Sequence, residues 1–353
     1  MLDGYLPSAV NSGPWITAYT LNRLRALPTD ARFVLPICSL ATPFADCVQP
    51  GTFVLPPLYH EAMDNGLQDR IVEQILRCFP SHSPDGINNN ADRVRVVELP
   101  RVSLPQLPRP RILAFSVDTA VEEHGPHLPL GTDTIQSYSV LNQLRDGIDG
   151  FEVFRPVEYG QLTWGLPFGF SVDLTVPLLT EYVANFANAV MNWRKPEAMY
   201  VVDVHGSITH RQAIVDGLQQ SGVARWAFRW LHEPLAEFAS ARGDQHAGGV
   251  ETALVERVSR DLIDADWFPN RIDEIAAGQM SFQQAVDLTP NLVAFTDAVD
   301  EHDFNGVIGD IHNYHDVDTS LMFGRMLRIG TEDVAQLLSG AALDAQAAGD
   351  QLW

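Results

Sequence analysis

The chain has 353 residues, 46% of them hydrophobic and 19% charged, which predicts a folded protein of one large domain or two smaller ones and argues against disorder. Its 45 acidic residues against 23 basic ones give a formal net charge of -22. This balance disfavours nucleic acids and anionic membranes as partners, because both require a cationic protein surface.

The first 107 residues are predicted to form an N-terminal extension whose role the sequence does not indicate. A short buried strand is expected over residues 32–37. Apolar residues at three- and four-residue spacing then predict a helix over residues 61–79. Four prolines between residues 100 and 110 indicate a linker. We therefore expect the main domain to span residues 108–345.

From residue 111 onward, strand and helix patterns alternate. Strands are expected over residues 111–117, 152–156, 199–204 and 226–232. Helices are expected over residues 134–145, 181–193, 208–220, 249–258 and 333–348. Strands that alternate with helices of this length indicate an α/β fold, in which a mainly parallel sheet is covered on both faces.

Nothing in the sequence indicates export or membrane insertion. No stretch approaches the roughly 20 apolar residues that cross a bilayer, and the start lacks a basic segment followed by an apolar one. The cysteines Cys38, Cys47 and Cys78 are irregularly spaced and predict no disulfide framework. We therefore predict a cytoplasmic protein.

Residues 122–133 concentrate two glutamates, two histidines and an aspartate in a segment whose Gly and Pro residues prevent a regular helix. In an extended backbone, Glu122 and His124 point to the same side. The turn-forming residues that follow allow Asp133 to return to them. Carboxylate oxygens combined with imidazole nitrogens suit Zn, Mn or Fe(II), so this segment predicts a metal site.

Two further clusters supply possible ligands. His205 directly follows the strand predicted over residues 199–204, where ligands collect in open parallel sheets, although a histidine there can also simply cap the strand. His246 lies in a glycine-rich loop and Glu251 near the start of the next helix. The alternative roles are a solvated histidine and a first-turn acid that interacts with the helix dipole. Together the clusters offer enough ligands for two adjacent metal ions that share a carboxylate.

These clusters resemble the signatures of the creatininase family. Residues 122–133 resemble its E-x-H-G-P-H-L-P-x-x-T-D signature, residues 246–252 its H-A-G-x-x-E-T element, and residues 307–310 part of its G-V-x-G-D segment. The resemblance covers residues 108–340. It implies a three-layer α/β/α sandwich with a mainly parallel central sheet. It also implies a dinuclear metal hydrolase that opens cyclic or linear amides and assembles as a homo-oligomer, often a hexamer.

Carried over residue by residue, the resemblance implies a complete set of metal ligands. These are Glu122, His124, Asp133, His205 and Glu251. Asp133 is the implied bridge between two divalent ions, and Glu251 completes the second site. The expected cofactors are two ions per chain, Zn with Mn or Fe as the alternative at one site.

The departures from the family pattern bear on the substrate. Ser207 stands in a segment that lacks the aromatic and acidic neighbours that serve creatinine hydrolysis in the family. Arg242 stands where creatininase has a tryptophan that covers the substrate. Trp164 follows Tyr159-Gly160 in place of the usual Glu-His and predicts a more aromatic pocket wall. These differences argue against creatinine. We predict that Tyr159, Trp164, Ser207 and Arg242 contact a different small-molecule substrate.

The predicted reaction is hydrolysis of a C–N bond in an amide, cyclic amide or formamide by a metal-activated water. His246 is the candidate proton donor to the leaving nitrogen, with Glu123 and His127 as the nearest alternatives. The same site could instead cleave a C-terminal residue from a peptide or open a ring ketone. A non-catalytic metal-binding scaffold is the remaining alternative. On any of these readings, deletion of residues 1–105 is expected to leave metal binding intact.

Overall fold

The computed structural model describes residues 15–28, 30–78, 93–236, 238 and 243–340. Its strands are β1 (Phe33–Cys38), β2 (Phe53–Val54), β3 (Leu58–Tyr59), β4 (Val94–Glu98), β5 (Ile112–Ser116), β6 (Phe151–Val153), β7 (Ala198–Asp203) and β8 (Trp226–Trp230). Its helices are α1 (Leu21–Arg25), α2 (Asn65–Cys78), α3 (Thr132–Gly147), α4 (Val176–Arg194), α5 (Ile208–Gln220), α6 (Gly249–Val258), α7 (Ile272–Ala277), α8 (Phe282–Leu288), α9 (Leu292–His302) and α10 (Thr319–Ser339).

The central sheet has the strand order β6-β5-β7-β8, and all of its pairs are parallel. Every residue of β5 and β7 is buried, as expected for parallel strands covered on both faces. Leu113 and Phe115 pack with α4 and α5, whereas Ile112 and Ala114 pack with α3, α6 and α10. The predicted three-layer α/β/α sandwich with a parallel central sheet is therefore confirmed.

The predicted helices agree best where a cap or a glycine marks the end. α5 and α6 have the predicted bounds. α4 begins five residues earlier than predicted, because Pro177 is favourable in the first turn of a helix and starts it at Val176. Of the helix predicted over residues 333–348, the part up to Ser339 belongs to α10, and residues 341–348 lie outside the described residues.

Several elements were not predicted. In β4, apolar and polar residues do not alternate regularly, and the strand is only partly buried. It therefore lacks the sequence pattern of a half-buried strand. Helices α7, α8 and α9 are short, and their apolar side chains are divided between two small clusters, one around Phe295 and one around Ile275. Short helices that pack on satellite clusters carry too few periodic residues for a reliable prediction.

The N-terminal extension forms a second parallel sheet, in which β1 pairs with β2, β3 and β4. This sheet packs on α4, where the ring of Phe186 lies 5.8 Å from that of Tyr59 in β3 and 5.1 Å from that of Phe115 in β5. The carbonyls of Pro105 and Pro108 accept hydrogen bonds from Trp193 and Arg194, which attach the proline-rich stretch to α4. The domain boundary at residue 108 stays a prediction, but the two sheets share one hydrophobic core.

Among the helices that the structure describes, none combines the length and the apolar composition that a bilayer crossing requires.

Replacing Phe186 with alanine is expected to lower the free energy of unfolding by about 3–5 kcal/mol, because it leaves a cavity between the two sheets. Urea denaturation followed by tryptophan fluorescence measures the change. Val176→Ala, at the 36% exposed start of the same helix, is the matched control and should stay within about 0.5 kcal/mol. A loss below about 1 kcal/mol in Phe186→Ala would contradict the shared core.

Candidate metal centre

The predicted ligands meet at the carboxyl edge of the central sheet. Glu122 and His124 lie in the loop after β5, Asp133 lies in the first turn of α3, and His205 is the second residue after β7. Because β5 and β7 are parallel neighbours, their carboxyl ends deliver these side chains to one place. Glu251, in the first turn of α6, completes the set.

The five predicted ligands form two triads that share Asp133. In the first, His205 Nδ1 lies 3.1 Å from Glu122 Oε2 and 3.5 Å from Asp133 Oδ2. In the second, His124 Nε2 lies 3.3 Å from Asp133 Oδ1 and 3.9 Å from Glu251 Oε2. The ligand atoms of each triad lie within 4.8 Å of one another. The two oxygens of Asp133 thus face different triads, which is the arrangement of a bridging carboxylate.

The orientation of His124 shows that the donor set fits a metal ion. Its Nδ1 lies 3.1 Å from the Glu122 carbonyl oxygen, which can only accept, so Nδ1 carries a proton and Nε2 is the atom that faces Asp133 and Glu251. Among the described residues, this buried Nε2 has no hydrogen-bond partner. A buried polar atom without a partner is costly, and a cation between the triads would satisfy it. The site therefore fits a divalent metal with nitrogen and oxygen ligands.

The charges of the cluster also favour a cation. Burial alone would lower the pKa of His205, but the carboxylates of Glu122 and Asp133 raise it well above its usual value. Burial likewise opposes ionisation of Asp133, yet the imidazoles of His124 and His205 hold the pKa of Asp133 well below its usual range. The cluster therefore stabilises positive charge beside its carboxylates.

His246 and Glu123 form a pair at the edge of the cluster. His246 Nε2 donates to the Glu123 carbonyl oxygen at 2.7 Å and lies 3.3 Å from Glu123 Oε1. Burial opposes a charged His246, but the hydrogen bond with Glu123 and the nearby carboxylates raise its pKa to about 10. Burial also raises the pKa of Glu123, so the pair retains a proton. With Glu122 and His124, His246 forms a third possible ligand triad, in addition to the role as proton donor predicted for it.

A cavity of about 350 Å³ opens above the ligand cluster. Its floor includes Glu122, Asp133, His205 and Glu251. Its walls are mainly apolar and include Trp164, Phe168, Trp230, Phe282, Phe295 and Ile308. No lysine or arginine is found among the described residues that line the cavity. Apolar walls above a floor of metal-ligand candidates favour a ligand that carries an apolar group.

Of the residues predicted to contact substrate, Trp164 and Ser207 line the cavity. The Trp164 ring packs edge-to-face on Phe295 at 5.3 Å, as expected for a pocket wall. The Ser207 hydroxyl is already engaged, since it donates to Gln161 Oε1 at 2.8 Å and accepts from the His210 amide at the start of α5. Ser207 therefore caps a helix at the cavity edge.

Tyr159 requires a correction, because it is not among the described residues that line the cavity. Its ring is buried in the core shared by the two sheets, and its hydroxyl donates to the Pro56 carbonyl at 2.8 Å. The sequence could not reveal that the extension covers this position. Arg242 lies outside the described residues.

Sequence reasoning missed two polar residues of the site. Thr119 donates to Asp133 Oδ2 at 2.8 Å and also contacts Glu122 Oε2, so it orients two ligands. His232 lines the cavity, and its Nε2 lies 2.9 Å from Oε1 of the buried Gln136. Since an amide oxygen only accepts, His232 donates from Nε2 and keeps the lone pair on Nδ1. Burial lowers the pKa of His232, which favours this neutral form.

The sequence prediction placed His232 at the end of a strand over residues 226–232, so it did not mark this histidine as following a strand. In the structure, His232 is the second residue after β8, as His205 is the second residue after β7. Two further histidines make different contacts. His127 Nε2 lies 2.8 Å from Thr252 Oγ1, and His312 pairs with the exposed Asp273.

The comparisons with known proteins give one family model and several similar proteins. The family model named creatininase, described as creatinine amidohydrolase, matches residues 114–322. The mycofactocin precursor peptide peptidase of Mycobacterium ulcerans (strain Agy99) is 25% identical over 157 residues, which are 42% of this chain. The match spans 58% of the length of that curated relative.

Two solved structures are also similar. A creatinine amidohydrolase (creatininase) structure matches with 14% identity and a TM-score of 0.47, covering 64% of this chain and 90% of that one. A structure described as creatininase Mn matches with 15% identity and a TM-score of 0.45, covering 64% of this chain and 90% of that one.

Replacing Gly248 with alanine is expected to disturb the start of α6, which carries Glu251. The backbone of Gly248 has φ -87, so alanine adds no backbone strain, but its Cβ would lie 1.7 Å from Asp244 Oδ1. Asp244 Oδ2 already accepts from the Val250 amide. We expect a loss of about 1–3 kcal/mol of stability, measured by thermal unfolding. Gly324→Ala, which meets nothing within 4 Å inside α10, is the control and should be neutral or slightly stabilising. Equal melting temperatures for Gly248→Ala and the wild type would refute this prediction.

Proposed function

The chain belongs to the creatininase family, and from this premise we propose that it is a hydrolase that uses two divalent metal ions to cleave a C–N bond. The proposed substrate is a small amide, cyclic amide or formamide. The observation that carries the proposal is the pair of ligand triads that share Asp133 beneath one cavity. Zn, Mn and Fe are the candidate metals, because the donors combine imidazole nitrogen with carboxylate oxygen. When bound, the two ions would polarise the substrate carbonyl and lower the pKa of water in the site.

His246 is the residue that we propose delivers a proton to the leaving nitrogen. Its Nε2–H is occupied by the Glu123 carbonyl, so Nδ1, which lies 3.7 Å from Glu122 Oε1, is the atom left to hold the transferred proton. Glu123 is fixed in turn, because its Oε2 accepts from the Gly125 amide at 3.1 Å. Glu123 therefore acts as a positioning residue that orients the ring of His246.

The cavity supports a substrate that carries an apolar group. Phe168 and Phe295 pack edge-to-face in its wall, so an aromatic or branched aliphatic group would be buried against rings. The lone pair of His232 Nδ1 is placed to accept a hydrogen bond from a substrate N–H.

A second candidate function is the release of a residue from the end of a peptide. The observation in its favour is the similarity to a curated protein named mycofactocin precursor peptide peptidase. The same apolar cavity would then hold the side chain of the released residue. Measuring the release of the terminal residue from dipeptides tests this candidate. Release at a higher kcat/KM than the hydrolysis of small cyclic amides would favour it.

Asp133→Asn is expected to remove both metal ions and to lower activity by more than about 100-fold, because the loss of a ligand's hydrogen-bond partner alone costs about 10–100-fold in metal affinity. Elemental analysis of the dialysed protein measures the metal content, with about two ions per chain expected in the wild type. Asp216→Asn changes a half-buried aspartate of α5, outside the ligand cluster, in the same way and should keep both ions. A wild-type protein that holds no metal even after metal is added back would refute the proposal.

His246→Gln separates the two roles open to His246. If His246 donates the proton, its loss should lower kcat by about 100-fold or more while the metal content stays near two ions per chain. As a ligand, its loss should lower the metal content itself. Parallel elemental analysis and steady-state kinetics on the same preparation distinguish these outcomes. His302→Gln, at the exposed end of α9, is the control.

A matched pair of cyclic amides tests the substrate class. We expect 5-benzylhydantoin to be hydrolysed with a kcat/KM about 30-fold higher than hydantoin-5-acetic acid, because a benzyl group buried against the apolar walls contributes about 2 kcal/mol that a carboxymethyl group does not. Phe295→Ala should reduce this preference, since it removes one wall of the cavity. Faster hydrolysis of the carboxylate compound would contradict the proposed class.

A further inference from the structure

We propose that residues 15–25, which we name the N-terminal clamp, fix the backbone that presents the metal ligands, so that metal retention depends on the extension. The ligand loop is here residues 122–133, which carry Glu122, His124 and Asp133. The inference rests on the metal site of the proposed function, but it does not depend on the reaction or the substrate. It assigns a role to a segment outside the family match, which begins at residue 114.

The first contact joins the clamp to the end of the ligand loop. The Tyr19 carbonyl accepts from the Leu130 amide and the Thr17 carbonyl accepts from the Gly131 amide, each at 2.9 Å. Gly131 precedes α3 as its N-cap and lies two residues before Asp133. Both loop residues are buried, so their amides depend on these two carbonyls for their hydrogen bonds. The clamp thus sets the position of the backbone from which the bridging carboxylate projects.

The second contact holds the middle of the ligand loop through Asp264. Thr20 Oγ1 donates to Asp264 Oδ2 at 3.2 Å, and Arg23 Nε pairs with the same oxygen at 3.0 Å. The Asp264 side chain is 1% exposed, so the clamp supplies its counter-charge. The Asp264 amide then donates to the His127 carbonyl in the ligand loop at 2.8 Å. The loop is therefore held at two points, on either side of Pro129.

The two segments are in direct van der Waals contact. A Cβ added at Gly131 would lie 3.0 Å from the Thr17 carbonyl oxygen and 3.2 Å from Thr17 Cβ. The backbone of Gly131 has φ -82, so alanine is sterically permitted there apart from this contact. No room remains for the loop to shift toward the clamp. If the clamp acts as proposed, deletion of residues 1–105 weakens metal binding, which is the opposite of the expectation from sequence.

The test measures how fast the full-length, zinc-loaded protein loses its metal to an excess of a chromophoric chelator. We expect zinc release to be about tenfold faster or more in Gly131→Ala and in the double variant Thr20→Val/Arg23→Gln, because partners that orient metal ligands contribute about 10–100-fold to affinity. Arg70→Gln removes an exposed ion pair between the extension and α4, far from the loop in sequence, and should release zinc at the wild-type rate. Ile71→Val removes one buried methyl group from α2 and controls for a general loss of stability.

A measurement on the wild type covers the case in which the variants fail to fold. If the clamp strengthens metal binding, metal must strengthen the clamp by the same factor. Zinc should therefore slow amide hydrogen exchange in residues 16–24 as well as in residues 122–133. Protection of residues 122–133 alone, or wild-type release rates in both folded variants, would overturn the clamp while leaving the metal site in place. A wild type that binds no zinc would instead refute the proposed function, and with it any role of the clamp in metal retention.

Discussion

The buried carboxylate of Asp133 is the constraint on which the rest of the structure depends. A charge that is taken out of water must be compensated by opposite charge and by hydrogen bonds. His124, His205 and Thr119 do this within the protein, and the two oxygens of Asp133 face different ligand triads. Close approach is essential to the same design. A Cβ at Gly306 would lie 1.7 Å from Glu123 Oε2, so only glycine allows the backbone to lie this close to Glu123. Glu123 in turn contacts His246.

The extension changes the environment of α4. In a three-layer sandwich, an outer helix packs on the sheet with one face and meets water with the other. Here the second parallel sheet covers the outer side of α4, and Phe186 contacts rings from both sheets. The helix is therefore an inner layer of a thicker molecule. Its buried aromatic residues, Tyr182 and Phe186 among them, follow from that position.

Local chemistry decided which parts of this protein could be predicted from sequence. β5 and β7 are uniformly apolar because both of their faces are covered, and α5 is bounded by a serine cap, so these elements were predictable. Glu122, His124 and Asp133 were predicted as one candidate cluster because carboxylates and imidazoles stand together there beside glycines and prolines. His205 and Glu251 had alternative roles and joined the ligand set through the family resemblance. The contacts of Tyr159 with Pro56 and of Thr20 with Asp264 were not, because each joins residues far apart in the chain through ordinary residue types. No local pattern marks such a pair.

The clamp also dictates the order in which the site can assemble. Thr20 and Asp264 are separated by 244 positions, and His127 lies between them in the sequence. During synthesis the clamp and the ligand loop emerge well before the residue that connects them, so their second point of attachment cannot form until most of the chain has left the ribosome. Contacts of such large sequence separation form slowly, since the loop-closure entropy is lost before the contact is gained. The metal centre is thus expected to be among the last parts of this protein to mature, and the apolar cavity above it stays incomplete until then.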